Sequence, residues 1–180
     1  AATDLEIVLP YQHQPYICIA PSSVWATKQF PKEKWIAFLD GLPKKIKVYV
    51  LGGPDDVPLC EEIIVASSTE NAINLAGKLN FLASAALMKN ALMNYVNDSA
   101  PMHFCSSVDA PVTAIYCSTV PGFGYGPLSS KSNIVEVKQA LDCRPCGLHG
   151  KTACPKGHFN CGFQIEIAQL MATLPALTKQ

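Results

Sequence analysis

Four stretches of this 180-residue chain carry residue types that can do chemistry. The first is Asn97-Asp98-Ser99-Ala100-Pro101-Met102-His103, which follows the apolar run from Ala91 to Val96. Asn, Asp and Ser are turn and N-cap residues, and Pro101 suits a first helical turn, where a missing N–H costs nothing. A strand that hands over to a helix here leaves free N–H groups and the positive end of a dipole facing a cleft, which suits an anionic ligand. His103 falls on the first turns of that helix. The same residues also fit an ordinary capped strand–helix joint.

The second stretch runs from Ala20 to Pro31, between an apolar run and a helix. Its hydroxyls, Ser22, Ser23 and Thr27, can hold phosphate oxygens, and Lys28 can neutralise them as a point charge. The G-x-x-x-x-G-K-[ST] pattern is absent, so this is not a Walker A loop. A solvated loop with an exposed lysine is the plainer alternative. The third stretch, Gly52-Gly53-Pro54-Asp55-Asp56, places two carboxylates where they either accept from ribose hydroxyls or cap the next helix. The dinucleotide fingerprint G-x-G-x-x-G is missing from it, which argues against a dehydrogenase. Gly122-Phe123-Gly124-Tyr125-Gly126 has alternating glycines but no helix after it, so it reads as a flexible loop able to close over a ligand.

The fourth stretch is Cys143-x2-Cys146-x7-Cys154-x6-Cys161, with His149 and His158 inside. Four such cysteines either close a tetrahedral metal site, pair as two disulfides, or stay free. The segment is rich in Pro and Gly and has little core of its own, so a staple would order it. A structural role is expected for it, with zinc the metal in view.

These stretches must be positioned by regular elements. Tyr16–Ala20, Ile46–Leu51, Ala72–Ala76, Ala91–Val96, Val112–Tyr116 and Ile134–Val137 read as strands. Between them lie helical patterns: Trp35, Phe38, Leu39 and Leu42; then Val57, Cys60 and Ile64; then Leu79, Leu82, Ala83, Ala86 and Leu87. Ile167, Leu170, Met171 and Leu174 close the chain with a helix, and residues 1–15 read as an extended connection. Strand and helix alternate, which predicts an α/β fold with a parallel sheet and helices on both faces. In such sheets ligands sit beyond the C-terminal ends of the strands. The loops at 20–29, 51–56, 76–79, 97–103 and 117–127 should therefore border one cleft.

Composition narrows the classes. Lys plus Arg equals Asp plus Glu at 14 each, so no basic surface points to nucleic acid. No apolar run reaches the ~18–20 residues that span a bilayer, and the first residues do not form a signal peptide. The chain lacks an initiating Met, as a piece of a longer protein would. Cys18, Cys60, Cys105 and Cys117 lie in apolar runs and read as core residues.

Three motifs, taken in order, resemble the donor-binding half of the ADP-heptose:lipopolysaccharide heptosyltransferases. They are Ser22 to Pro31 with its Lys28-Gln29-Phe30-Pro31 ending, Asn97-Asp98-Ser99-Ala100-Pro101-Met102-His103, and Cys143-Arg144-Pro145-Cys146 through Cys154-Pro155-Lys156-Gly157-His158. The similarity covers roughly residues 16–175. Ala100 stands where this family usually has Gly, and Cys117 where Gly is common before Ser118-Thr119. The resemblance implies a Rossmann-like domain, the C-terminal half of a GT-B fold, with residues 1–15 as the link to an absent N-terminal acceptor domain that supplies the catalytic carboxylate. It implies transfer of heptose, or a related sugar, from an ADP-sugar to a lipopolysaccharide core acceptor, in the cytoplasm at or near the inner membrane, with no cofactor required for catalysis. The implied donor-binding residues are Ser22, Ser23, Thr27, Lys28, Asp55, Asp56, Asp98, Ser99, Ala100, Met102, His103, Ser118 and Thr119. Lys28, Ser23, Thr27 and the N–H groups of residues 100–102 would face the diphosphate, and Asp98 the sugar hydroxyls. The rival reading is a non-catalytic Rossmann-like module that docks a partner through its cysteine-rich segment.

Overall fold

A computed structural model describes residues 3–176. Its strands are β1 Tyr16–Ala20, β2 Lys47–Val50, β3 Ala72–Asn74, β4 Asn94–Asn97, β5 Val112–Tyr116 and β6 Ser132–Glu136. All pair in parallel, in the order β3-β2-β1-β4-β5-β6. The order reverses between β1 and β4, where Ile19 pairs with Tyr95 and Ala20 with Val96. A crevice opens at such a reversal, because the connections leave in opposite directions.

The central strands are apolar throughout because both of their faces are covered. Ile17 and Ile19 of β1, Val48 and Val50 of β2, Tyr95 of β4 and Ile115 of β5 point to one face. There they meet Trp35, Phe38 and Leu39 of α2 (Lys32–Gly41) and Cys60 and Ile63 of α3 (Val57–Ala66). Alternate residues, Cys18, Tyr49, Val96, Ala114 and Tyr116, point to the other face. They meet Val8 of α1 (Asp4–Val8), Leu87 and Met88 of α4 (Phe81–Lys89), and Met102 and Cys105 of α5 (Ala100–Ser107). Two short helices follow, α6 (Asn160–Phe163) and α7 (Ile167–Met171), and Leu170 of α7 is buried on the α2 side. Each fully buried side chain of the Ile or Phe type contributes about 1.5–3 kcal/mol relative to exposure.

Two expectations are corrected. Residues 3–15 are not an extended connection: they form α1 and a short 3-10 turn, Leu9–Tyr11. The Thr3 hydroxyl accepts from the Glu6 N–H while the Glu6 carboxylate accepts from the Thr3 N–H, a capping box that starts a helix. Pro10 lies at the start of the 3-10 turn, where its fixed φ helps rather than breaks. Residues 1 and 2 of that stretch lie outside the described residues. The second correction concerns α4. Leu82 is exposed, and Ala83, Ala85, Leu87 and Met88 face the core, in a helix that Asn80 caps.

Candidate functional site

Four of the five expected loops converge. Ser22, Ser23 and Val24 after β1, Leu51 to Pro54 and Asp56 after β2, Leu79 after β3, and Ser99 to Pro101 after β4 line one cleft of about 310 Å³. Helices α4 and α5 form its wall with Phe81, Ser84, Met88 and Phe104. The Phe81 and Phe104 rings lie 5.2 Å apart, and Phe81 is 74% exposed. The cleft lining thus includes an aromatic pair, serine hydroxyls and the first residues of α5. The loop after β5 does not line this cleft.

Asn97 ties down the loop that feeds the cleft. It is fully buried at the end of β4. Its Oδ1 accepts from the Phe30 N–H at 2.9 Å, and its Nδ2 donates to Pro21 O at 2.8 Å and Ser22 O at 3.2 Å. One amide therefore fixes both ends of the loop that carries the hydroxyls and Lys28. Asparagine suits this task because it both donates and accepts on one rigid head.

Lys28 and Asp98 pair with each other, and neither lines this cleft. Lys28 Nζ lies 2.7 Å from Asp98 Oδ2, with side-chain exposures of 17% and 7%. The Thr119 hydroxyl donates to the same carboxylate at 2.7 Å. Asp98 is thus engaged by protein groups, and Lys28 is not a bare cation awaiting an anion. The mutual compensation explains how a carboxylate can sit beside a site for negative charge: the pair is close to neutral as a unit.

The end of α5 is narrower as an anion site than the sequence suggested. Pro101 has no N–H, and the Met102 N–H already donates to Ser99 O at 3.1 Å. Ser99 is the N-cap but makes no capping bond with its side chain; its Oγ donates to Asn97 O at 3.4 Å. The amides of Ser99 and Ala100 remain as the helix-end donors, since a helix cannot bond its own first N–H groups.

The other expected residues are spread. Asp56 lines the cleft, and its Oδ2 accepts from the Gly53 N–H at 2.7 Å, which closes the turn after β2. Asp55 is exposed and does not line the cleft. His103 is exposed on α5, next to the lining residue Phe104. Met102 is buried, with its sulfur accepting from the Tyr116 hydroxyl at 3.3 Å. Thr27 and Ser118 are buried and bonded to each other, Ser118 Oγ donating to Thr27 Oγ1 at 3.0 Å.

Sequence reasoning missed Arg144, the only arginine in the chain. Its Nε donates to Cys117 O at 2.7 Å, its Nη2 donates to Thr119 O at 2.8 Å, and it pairs with Glu136 at 2.6 Å. It therefore gathers the carbonyls left unpaired where β5 ends. A lone arginine among thirteen lysines was the available signal, because only a guanidinium offers several donors in one plane. Phe81 and Phe104 were missed as well, since single aromatics on helices look like core.

The four C-terminal cysteines are free thiols, as are the other four. Among the described residues no three Cys, His, Asp or Glu side chains are arranged to hold a metal ion. Cys146 Sγ donates to Cys143 O at 3.1 Å, and Cys143 Sγ lies 3.9 Å from His158 Nε2. Cys143, Cys146, Cys154 and Cys161 are therefore near one another without forming the tetrahedral set that their spacing suggests. Their acidities diverge. Burial pushes the Cys161 thiol up to about 11. Partial burial opposes charge on Cys154 too, but the N–H groups of Phe159, Lys156, Gly157 and His158 together lower its pKa. Iodoacetamide should accordingly modify Cys154 before Cys146 and Cys161 at mildly alkaline pH. Peptide mass spectrometry over a time course reads the order, and Cys161 reacting first would contradict it.

Comparison with known proteins follows the same outline. The family model described as glycosyltransferase family 9 (heptosyltransferase) matches residues 2–154. The lipooligosaccharide heptosyltransferase 2 of Haemophilus influenzae is 36% identical over 93 residues, which is 50% of this chain and 27% of that protein. A glycosyl transferase family 9 structure from Veillonella parvula superposes with a TM-score of 0.76 and 22% identity, covering 94% of this chain and 48% of that one. An E. coli structure described as ADP-heptose lps heptosyltransferase II superposes with a TM-score of 0.71 and 20% identity, covering 95% and 50%. The chain thus spans about half the length of these solved relatives, and the shared half has their Rossmann-like, GT-B-type fold. No described helix is long and apolar enough to cross a membrane.

Proposed function

Since the chain belongs to glycosyltransferase family 9, the heptosyltransferases, we propose that it is the donor-binding half of an enzyme that moves heptose from an ADP-sugar to a lipopolysaccharide core acceptor. The observation that carries this is the cleft across the ends of β1, β2, β3 and β4, whose lining combines an aromatic pair with serine hydroxyls and the start of α5. The name of the similar E. coli protein, an ADP-heptose heptosyltransferase, points to the same donor.

In this reading the adenine ring lies against Phe81 and Phe104, whose faces offer stacking. The diphosphate turns toward Ser22, Ser23, Ser99 and the Ser99 and Ala100 amides. Transfer breaks the bond between the sugar and the diphosphate, so negative charge grows on ADP as it leaves. Donors fixed before the reaction stabilise that charge without reorganising. Lys28 adds its field from outside the lining, and Asp98 holds the lysine head in place. Asp56 is left for the ribose and heptose hydroxyls, while Asp55 and His103 are exposed and outside the cleft lining. Thr27, Ser118, Thr119 and Met102 serve by holding the loops. The acceptor and the catalytic base belong to the half not present here, joined through residues 1–15, so this chain alone should bind ADP weakly and transfer nothing. The whole enzyme would work in the cytoplasm, at the face of the inner membrane where its acceptor lies. The thiols would have to move to hold zinc, and metal content of protein purified without chelator is the check.

Thermal unfolding tests the reading. A ligand that binds only the folded state raises the midpoint with concentration. ADP should raise it, and GDP should do so less. Equal shifts with every nucleotide, or none with ADP, would leave the chain as a non-catalytic module.

A further inference from the structure

We infer that the Gly150-Lys151 turn of the cysteine-rich segment sets the position of Lys28, which makes Gly150 and Lys151 positioning residues of the donor site. The inference rests on the reading that the Lys28 charge acts on the diphosphate from outside the lining, and deepens it by giving residues 143–161 a task in that site.

The contact is between backbone and side-chain stem. Gly150 is buried, and a Cβ placed on it would fall 2.3 Å from Trp25 Cβ and 2.8 Å from Lys28 Cγ. Both distances are far shorter than carbon atoms tolerate, and neither neighbour is the free end of a side chain. Gly150 is also not among the glycines with positive φ. Space, not backbone conformation, is what requires glycine at this position.

The next residue completes the grip. The Thr27 N–H donates to Lys151 O at 3.1 Å, and the Lys151 N–H donates to Thr27 Oγ1 at 2.8 Å. The loop being held is a three-residue 3-10 turn, Ala26–Lys28, too short to be stable by itself. The same segment reaches the partner of Lys28. Arg144 Nη2 donates to Thr119 O, the Cys146 N–H donates to Ser118 O at 3.0 Å, and the Thr119 hydroxyl binds Asp98. One segment therefore fixes the stem of the lysine and the carboxylate that receives its head. A lysine has many rotamers, and holding one of them needs contacts on both ends.

The test follows the lysine directly. In this chain, the Lys28 Cε and Nζ signals are followed by NMR in wild type and in Gly150→Ala, and ADP affinity is measured in both. The added methyl should move the Lys28 signals toward those of a free lysine and weaken ADP binding roughly tenfold, the size typical of coupled neighbours. In a Lys28→Ala background the same substitution should add nothing. Unchanged lysine signals, or equal losses in both backgrounds, would overturn the inference. If Gly150→Ala does not fold, Thr27→Val and Thr27→Ser carry the test. Valine removes the acceptor of the Lys151 N–H and should displace the lysine signals, whereas serine keeps it and should not; identical spectra would overturn the inference. A wild-type chain that fails to bind ADP would sink the donor-site reading, while the NMR arm still decides whether the turn positions Lys28.

Discussion

In the full-length enzyme, Lys28→Ala should lower turnover on the order of a hundredfold, comparable to removing one oxyanion donor from a preorganised site. The loss has two parts. The diphosphate loses a nearby cation. Asp98, only 7% exposed, also loses its partner and keeps just the Thr119 hydroxyl, so an uncompensated carboxylate is left near the donor site. Removing one member of a buried pair costs about 3–5 kcal/mol, and the partial exposure of Lys28 argues for the lower end of that range. The double substitution Lys28→Ala with Asp98→Asn should therefore be more stable than Lys28→Ala alone and bind ADP more tightly than it does. Urea unfolding and ADP titration of the three proteins check both points. A double variant no better than the single one would mean that Asp98 is solvated and the pair incidental.

Asn97→Ala should destabilise the chain by about 3 kcal/mol or more. Three backbone groups would lose their partner at once: the Phe30 N–H, Pro21 O and Ser22 O. Each buried group left unpaired costs about 1–3 kcal/mol, and water entering the gap recovers part of it. A loss of that size lowers Tm by roughly 6–12 °C in a domain near 150–250 residues. Asn97→Asp should fare no better, because it keeps the acceptor for Phe30 but sets a carboxylate against two carbonyls. Because the loop 21–30 is released, ADP affinity should fall further than in a destabilised variant far from the cleft. Chemical unfolding combined with ADP titration reads both effects, and a drop in stability with unchanged affinity would remove Asn97 from the site.

Much of the fold was legible because each strand and helix announces itself locally. Val112–Tyr116 is an unbroken apolar run, and Trp35, Phe38 and Leu39 repeat with helical spacing. The amino-terminal segment was misread although Thr3 and Glu6 spell a capping box, because two prolines drew attention away from it. Leu82 was misread because it fits the same helical spacing as Ala83 and Leu87, and only packing shows that the buried face turns toward Ala85 and Met88 instead. The cleft-lining serines could be named from their place between a strand and a helix. Pairing could not. Asp98 and Lys28 are seventy residues apart in sequence, and nothing local says that they meet. The bonds of Thr27 to Lys151 depend on how a segment without strands folds back over the first loop, which periodicity does not encode.

The claim on which the rest depends is that the loops after β1, β2, β3 and β4 form one nucleotide site. Backbone amide NMR of this chain during an ADP titration tests it most directly. Shifts that saturate together at Ser22, Ser23, Gly52, Gly53, Ser99 and Ala100, with the Phe81 and Phe104 rings moving alongside, are the predicted result. Shifts confined to the opposite ends of the strands, near Lys44, Lys45 and Asp109, would contradict it.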